Sequence, residues 1–287
     1  IYKIAIDAGL SCPNRDGKID TRGCIFCSAG GSGDFAVSRK DFPTVSMQIE
    51  AGISLFSGKN VGNRFIAYFQ AFTNTYGPME KMRSLFTEAV THPKTAILSV
   101  ATRPDCLSDD VLKLLSELNQ IKPVWVELGL QTIHEETARW MRRGYELSVF
   151  DQAVKRLREH GITVIVHVIL GLKNETREMI LETVRYLNKM DIQGVKLQLL
   201  HVIQGTDLAN EYRSGELSVF TMEEYVDLVI RALEIIPPEI TIHRMSGDAP
   251  RPTLISPEWS YKKRTILNSI HQQLRARKTW QGAKFEE

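Results

Sequence analysis

The chain has 287 residues, of which 43% are hydrophobic and 24% are charged, values typical of a globular protein that exclude a disordered chain. This length allows one large α/β domain or two smaller ones, with a core that needs no metal to fold. The net charge of +2 does not by itself indicate a nucleic-acid partner. There is no run of eighteen apolar residues and no signal peptide, so we expect a cytoplasmic protein without membrane association. The chain begins at Ile1 rather than Met, which leaves open what precedes it.

Short apolar segments alternate with amphipathic segments along the chain. The predicted strands are 3–7, 65–69, 96–101, 124–130, 163–170, 195–202 and 240–245. The predicted helices are 46–56, 79–90, 108–119, 135–141, 149–160, 176–190, 222–235 and about 259–277. Pro78 precedes one helix, and Ser108 is the predicted N-cap of another. Seven strands with helices between them favour a parallel sheet with right-handed crossovers.

The fold class predicted from this alternation is α/β, an open, partial parallel βα barrel of six to seven units. A closed barrel needs an eighth unit that the sequence does not offer, and a doubly wound open sheet is the alternative. We expect residues 1–249 to form the barrel and residues 250–287 a basic helical extension. From Glu258 to Glu287 there are seven Lys and Arg against three Glu, or +4. This charge indicates either a phosphate-contacting surface or a solvated helix face.

Three of the four cysteines lie in the segment 11–28, which we call the cysteine loop. Cys24 and Cys27 are separated by two residues, and eleven residues separate them from Cys12. A structural zinc site normally has four ligands, whereas a four-iron cluster held by three cysteines keeps one iron free. The pattern therefore favours an iron–sulfur cluster, with a zinc site completed by a histidine as the alternative. A disulfide would leave one clustered thiol unpaired.

Polar residues interrupt four of the apolar strands. They are Glu127, His167, Lys196, Gln198 and His243. Because functional groups in parallel α/β folds gather at the carboxyl ends of strands, these side chains predict a shared pocket. The alternatives are an internal hydrogen-bond network, and for Glu127 a buried pair with Lys196. His201 lies three residues after Gln198, so in a strand its side chain would project from the other face. It is therefore interpreted as a packing or loop residue.

Arg103 and Cys106 follow the third predicted strand. Arg103 is placed to pair with a carboxylate of a cofactor or substrate, or to form a structural ion pair. Cys106 has no neighbouring thiol in sequence, which favours a small buried side chain over a redox role.

The cysteine loop resembles that of the radical S-adenosylmethionine (SAM) enzymes, in which three cysteines hold a [4Fe–4S] cluster and an aromatic residue precedes the last cysteine. By this resemblance Cys12, Cys24 and Cys27 are the cluster ligands, and Phe26 lies near the adenine of SAM. The usual spacing between the first two cysteines is three residues, and the wider spacing here is similar to the branch of the elongator catalytic subunit.

Other segments extend this resemblance over most of the chain. The segment 126–132 resembles the fourth-strand motif of that branch, which implies that Glu127 and Gln131 contact SAM. The segment 167–176 resembles the glycine motif after the fifth strand, where Gly171 allows close approach of the adenine. The usual Gly-Gly-Glu run after the second strand is absent, which leaves amino-group recognition to Gln70, Thr73 or Asn74. The complete predicted cofactor-binding set is Phe26, Gln70, Thr73, Asn74, Arg103, Glu127, Gln131, His167, Gly171 and Gln198.

The resemblance implies a reaction and partners. The chain is similar to small bacterial members of the branch, which implies conversion of the carboxymethylaminomethyl group of the tRNA wobble uridine to aminomethyl. The implied cofactors are a [4Fe–4S] cluster and SAM, and the implied partners are the tRNA anticodon loop and an electron donor such as flavodoxin or ferredoxin. The alternatives are a radical SAM enzyme acting on a protein or small metabolite, and a non-catalytic zinc module that binds nucleic acid.

Overall fold

The computed structural model describes residues 1–58 and 61–286, so Glu287 of the predicted extension lies outside the described residues. The chain forms two compact units. Unit 1 comprises Ile1–Gly23, Ala29–Gly129 and Ser148–Val164, and unit 2 comprises Cys24–Ser28, Leu130–Leu147 and Ile165–Glu287. Across the described part of the chain, no helix is both long and apolar enough to span a membrane.

The described residues contain strands and helices that alternate over most of the chain. The strands are β1 (Tyr2–Ile6), β2 (Phe65–Phe69), β3 (Thr95–Thr102), β4 (Val124–Gln131), β5 (Thr163–Leu170), β6 (Gly194–Leu199), β7 (Val202–Ile203), β8 (Thr241–Arg244) and β9 (Leu254–Ser256). The α-helices are α1 (Val45–Ser54), α2 (Met79–Thr91), α3 (Asp109–Asn119), α4 (Glu135–Trp140), α5 (Leu147–Glu159), α6 (Arg177–Leu187), α7 (Asp207–Arg213), α8 (Met222–Ile235) and α9 (Lys263–Ala276). Short 3₁₀ helices cover Pro104–Cys106 and Glu258–Tyr261.

Seven strands form one sheet in the order β1-β2-β3-β4-β5-β6-β8. The strands pair in parallel, as in β1 with β2 and β5 with β6, and parallel neighbours require a crossover that the helices supply. The predicted open, partial parallel βα barrel is therefore confirmed, with seven strands. A second sheet pairs β7 with β9 in antiparallel fashion, and the sequence did not predict it because strands of two or three residues carry no periodic pattern.

Unit 1 is built on a fully buried strand. All five side chains of β2 are buried, and Phe69 packs edge-on against Phe86 of α2 at 5.0 Å between ring centroids. Ser108 caps α3 as predicted, because its hydroxyl accepts the backbone N–H of Val111. The predicted first strand ends one residue early, since the backbone of Asp7 bonds to the side chain of Gln48.

Unit 2 contains the C-terminal helices. Thr221 and Glu224 form a capping box at the start of α8, where each side chain bonds the other residue's backbone N–H. In α9 the buried residues are Ile266 and Ile270. The predicted last helix, 259–277, is interrupted at Lys262, where the 3₁₀ helix gives way to α9. The division of the chain at residue 249 stays a prediction.

One strand and one helix in unit 2 differ from the prediction. The predicted strand 195–202 is divided, because the ladder with β5 ends at Leu199 and β7 pairs elsewhere. Helix α7 was not predicted; it is only seven residues long, and Thr206 caps it by accepting the backbone N–H of Ala209. A pattern this short does not reach the two turns that helical periodicity requires.

Candidate functional site

The cysteine loop follows β1, and its first part folds back on itself within unit 1. The carbonyl of Cys12 accepts the backbone N–H of Arg15 at 2.8 Å, which makes a tight turn directly after the cysteine. Gly23 returns to donate its N–H to the carbonyl of Asn14 at 2.7 Å. The backbone N–H of Thr73, after β2, bonds the carbonyl of Ser11. Cys12 is thus anchored at the carboxyl ends of β1 and β2.

The segment Cys24–Cys27, which we call the cysteine turn, is fixed within unit 2 by backbone hydrogen bonds on both sides. The N–H of Cys27 bonds the carbonyl of Cys24 at 2.9 Å and closes the turn. Ile25 donates to the carbonyl of Met141, and its own carbonyl accepts the N–H of Leu208. The turn is therefore held between the segment after α4 and the start of α7, which come after β4 and after β6 and β7 in the chain.

Apolar packing beneath the cysteine turn supports these bonds. Ile25 is 4% exposed and belongs to a buried cluster with Leu172 and Leu208. Phe26 is partly buried and packs against the same cluster. The thiol of Cys24 lies 3.7 Å from the carbonyl of Arg142. The two sulfurs of the turn are consequently presented from a rigid, largely apolar base.

The carboxyl end of β2 carries three predicted cofactor-binding residues. Asn74 is fully buried, and its amide nitrogen donates to the carbonyls of Phe69 and Ala101. Its side-chain oxygen has no hydrogen-bond partner among the described residues. Thr73 is also buried, whereas the side chain of Gln70 bonds the carbonyl of Ser32 at 2.7 Å. Asn74 therefore offers a positioned acceptor, while Gln70 is engaged with the loop.

Arg103 and Cys106 lie after β3, where Arg103 forms an ion pair with Asp105. Arg103 is 9% exposed and bidentate to Asp105, with nitrogen–oxygen distances of 2.9 and 2.7 Å. The thiol of Cys106 lies 3.7 Å from a carboxylate oxygen of Asp105. Burial and the Asp105 charge raise the pKa of Cys106 to about 12, so this cysteine stays a thiol at neutral pH. The arrangement matches the structural ion pair named as the alternative for Arg103, whereas Cys106 is only half-buried.

Glu127 forms a buried cluster with partners that were not predicted. Its carboxylate, with the residue 1% exposed, accepts hydrogen bonds from Lys3 and from Ser99. The ammonium of Lys3 lies 4.7 Å from the ring centroid of Tyr68 and 5.8 Å from that of Trp125. Sequence reasoning missed Lys3 because it is 124 residues from Glu127. The carboxylate of Glu127 is therefore an acceptor held in place by two hydrogen bonds.

Two predicted cofactor-binding positions in unit 2 have left-handed backbones. Gln131 has φ +70°, and its side-chain oxygen is buried without a partner in the described part of the chain. Gly171 has φ +99°, and a Cβ there would lie 3.2 Å from the ring of Phe220. Glycine is required at position 171 both by its backbone and by the space available.

The polar residues of β5, β6 and β8 share a face of the sheet. His167 is opposite Lys196 in the register, and Gln198 is two residues along from Lys196 on the same side. His243 projects toward β6, where its ring occupies the place that a side chain on Gly194 would take. The structure thus brings together His167, Lys196, Gln198 and His243 in unit 2, as the strand parity predicts.

His201 is a candidate that sequence reasoning set aside. Its Nε2 atom is buried and has no partner among residues 1–58 and 61–286. Burial lowers the pKa of His201 to about 4, so the ring is neutral at physiological pH. Its ring packs against Gly247, which lacks the side chain that would block it. An orphaned ring nitrogen was not predictable, because it depends on packing after β6 rather than on strand parity.

Of the three arginines after β4, Arg139 is exposed, whereas Arg142 and Arg143 direct their charges into the fold. Arg143 is 2% exposed and bonds the carbonyl of Thr132 and the carboxylate of Glu135. Arg142 pairs with Asp207 at 2.6 Å. Both guanidinium groups therefore brace the segment that holds the cysteine turn.

Comparison with known families decides the classification. Residues 21–187 match the family model described as the radical SAM superfamily. The chain belongs to the radical SAM superfamily. Residues 192–276 match the model of the radical SAM C-terminal domain, so the two matches together cover most of the chain.

Similar proteins include a bacterial relative and Elongator complex protein 3 (Elp3). YtqA of Bacillus subtilis is 43% identical over 286 residues, covering 100% of this chain and 88% of that protein. Elongator complex protein 3 of Schizosaccharomyces pombe is 24% identical, covering 88% of this chain and 53% of that protein. The structure of Elp3 from Methanocaldococcus infernus has a TM-score of 0.73 at 17% identity, covering 98% of this chain and 64% of that one, which shows the shared fold.

The residues of the chain fit the radical SAM cofactors by their donor types. None of the four cysteines forms a disulfide in the described residues. No three His, Cys, Asp or Glu side chains of residues 1–58 and 61–286 gather where one metal ion could lie. A four-iron cluster binds its cysteines through three different irons, so its ligands do not converge on one ion. Asn74 and Gln131 each carry a buried acceptor without a donor, which suits the hydroxyl or amino groups of SAM.

Proposed function

We propose that this chain cleaves SAM reductively and uses the resulting radical to modify the wobble uridine of tRNA, converting carboxymethylaminomethyl-uridine to aminomethyl-uridine. The observation that carries the proposal is the cysteine turn, a rigid pair of thiols in a chain of the radical SAM superfamily. The tRNA substrate is supported by the likeness to Elongator complex protein 3 and by the resemblance described for the sequence.

In this proposal Cys12, Cys24 and Cys27 hold the cluster. When bound, a reduced [4Fe–4S] cluster and SAM would supply a deoxyadenosyl radical that removes a hydrogen atom from the carbon beside the substrate's carboxylate. The oxidised cluster would accept the second electron, and hydrolysis of the resulting imine would release the aminomethyl group and glyoxylate. The chain's own contribution is to orient the reactants and exclude water. Ile25 and the apolar cluster beneath it keep the two sulfurs of the turn fixed.

Asn74 and Gln131 are the best-supported SAM contacts of the predicted set. Each has a buried side-chain oxygen that accepts from donors of the cofactor. Glu127 accepts hydrogen bonds from Lys3 and Ser99, which holds its carboxylate in place for a cofactor contact. For His167, Gln198 and Gly171, strand parity and backbone conformation support contact with the adenosyl group or the substrate.

The carboxylate of the proposed substrate needs a cation, and Arg244 suits it better than Arg103. The guanidinium of Arg103 is already bidentate to Asp105. Arg244 reaches Asp248 only at 3.5 Å and is one-third exposed, so it retains donors for a ligand.

The test is an anaerobic incubation of reconstituted protein with SAM, dithionite and tRNA that carries the carboxymethylaminomethyl group. We expect aminomethyl-uridine by nucleoside mass spectrometry with the wild type and with Cys106→Ala, and none with Cys27→Ala. Arg244→Gln is expected to lower the modification at least tenfold while deoxyadenosine still forms in the absence of tRNA. An unchanged wobble nucleoside despite deoxyadenosine formation would reject the tRNA substrate and leave a protein or small metabolite as the target.

A further inference from the structure

The C-terminal part of unit 2 has a one-sided charge. Between Trp259 and Phe285 the chain contains seven Lys and Arg and no Asp or Glu. Helix α9 lies within this segment and buries Ile266 and Ile270. The apolar side of α9 is thus already used for packing, and its exposed side is polar and cationic.

The exposed side of α9 carries a line of residues at helical spacing. They are Arg264, Asn268, His271, Arg275 and Lys278, which we call the α9 stripe. Steps of four, three, four and three residues put side chains on one helix face, although Lys278 lies just past the end of α9. All five are exposed. Arg264 and Arg275 are about 16 Å apart along the axis at about 1.5 Å per residue, roughly the rise of five stacked bases.

The cations of the α9 stripe differ from three neighbouring cations in having no carboxylate partner among the described residues. Lys263 pairs with Asp248, Arg277 with Asp227, and Lys284 with Glu234. In contrast, Arg264, Arg275 and Lys278 form no ion pair with any described residue. Three unneutralised charges on one face form a site for a polyanion.

An open cleft with an exposed aromatic ring adjoins the end of the α9 stripe. The cleft has a volume of about 590 Å³, and its lining includes Arg231, Lys278 and Trp280. Trp280 is 64% exposed, which is unusual for a side chain of this size. Aromatic rings beside cationic grooves are typical of surfaces on which unpaired bases stack.

Helix α9 runs along the sheet strands of unit 2. Lys263 at its start bonds Asp248, which follows β8, whereas Gln281 past its end bonds the carbonyls of Pro237 and Ile240, which precede β8. The start of α9 is therefore at the carboxyl ends of the strands. The cysteine turn bonds segments that follow strands and lies at the same end.

We propose that the α9 stripe binds the phosphate backbone of an RNA and that Trp280 stacks on one of its unpaired bases. The choice of tRNA as this RNA rests on the proposed function, but the binding itself does not require the reaction. An anionic lipid surface is disfavoured, because an interfacial helix inserts its apolar face and that of α9 is buried against the protein.

The test is binding of tRNA to the full chain, measured by fluorescence anisotropy between 50 and 200 mM salt. Arg264→Gln/Arg275→Gln/Lys278→Gln should weaken binding about tenfold or more and reduce the salt slope by about 2 to 3, one unit per lost phosphate contact. The matched control Lys113→Gln/Lys155→Gln/Lys189→Gln removes three exposed charges from α3, α5 and the end of α6. It should stay within about twofold of the wild type.

Trp280→Ala separates the contribution of base stacking to RNA affinity from the contribution of charge. We expect it to weaken binding about fivefold or more with the salt slope unchanged. Equal affinities for the wild type, both triple variants and Trp280→Ala would overturn the proposal, as would α9-dependent binding to anionic vesicles without binding to tRNA. Stripe-dependent binding without any wobble modification would uphold this proposal and reject the proposed reaction.

Discussion

The cysteine turn and the α9 stripe, both in unit 2, are constructed in opposite ways. The cysteine turn is fixed by backbone hydrogen bonds from Ile25 to two other segments and by a buried apolar cluster. The α9 stripe projects from a helix whose packing uses the opposite face. A site that positions a reactive cofactor needs rigid support, whereas a surface that binds a polyanion needs only exposed charge. Substitutions should therefore affect stability at the first and affinity at the second.

The largest effect is expected from removing the apolar support of the cysteine turn. Ile25→Ala leaves a cavity among buried side chains and should lower the free energy of unfolding by about 3 kcal/mol. The reconstituted variant should also retain less iron after gel filtration. Urea unfolding of the metal-free protein measures the first effect. Ile121→Ala, at a side chain 54% exposed, is the control and should change stability by less than about 0.5 kcal/mol. Unfolding of Ile25→Ala at the wild-type urea concentration would contradict this account of the turn.

A pair of arginines sharpens the comparison. Arg143→Gln removes the donors to Thr132 and Glu135 from a buried position and should cost about 2 kcal/mol. Arg264→Gln, on the exposed α9 stripe, should change the unfolding free energy by less than about 0.5 kcal/mol. Thermal or urea unfolding of the two variants side by side gives the result. Equal losses of unfolding free energy in the two variants would show that Arg264 also stabilises the fold.

A smaller effect concerns pH. Burial lowers the pKa of His201 to about 4 from the ordinary 6.5, and Arg244 and Asp248 are the charged groups that act on it. Below pH 6.5 His201 binds a proton in the unfolded chain, whereas in the folded chain it stays neutral down to about pH 4. Stability from this group is therefore present above pH 6.5 and is lost as the pH falls. Between pH 6.5 and 5 the loss should be about 1 to 2 kcal/mol.

Replacing the histidine tests that assignment. His201→Asn should remove this part of the acid sensitivity when unfolding is compared at pH 7 and pH 5. His271→Asn, at an exposed position of the α9 stripe, should keep the wild-type dependence. If His201→Asn loses as much stability at pH 5 as the wild type does, another group is responsible.

Most of the sheet strands were predictable because their side chains are largely apolar over five to eight residues. All seven strands of the main sheet occur where periodicity put them, and no strand end is shifted by more than three residues. Helix α7 and the β7–β9 pair were missed, since they depend on tertiary contacts and are too short for a pattern. The hydrogen-bond partners of buried polar groups could not be predicted from the sequence either. Nothing near Glu127 in the sequence indicates Lys3, and nothing near Arg143 shows that its charge is turned inward.

The sequence predicted which residue types form the candidate site, but not which groups surround and bond each side chain. The spacing of Cys24 and Cys27 indicates a metal centre, but only the structure shows that Ile25 between them is the anchor. Asn74 and Gln131 were named through the family resemblance, and their unpartnered oxygens give a physical reason to retain them. Gln70 and Arg103 were named with equal weight, yet their side chains have partners within the fold.

The central claim is that Cys12, Cys24 and Cys27 hold a cluster with one open iron. The most direct measurement is the iron content and electron paramagnetic resonance of protein reconstituted without oxygen, before and after addition of SAM. We predict about four irons per chain and a reduced-cluster signal that shifts with SAM, for the wild type and Cys106→Ala but not for Cys27→Ala. A single zinc per chain, or a cluster that survives Cys27→Ala and is lost with Cys106→Ala, would contradict the account.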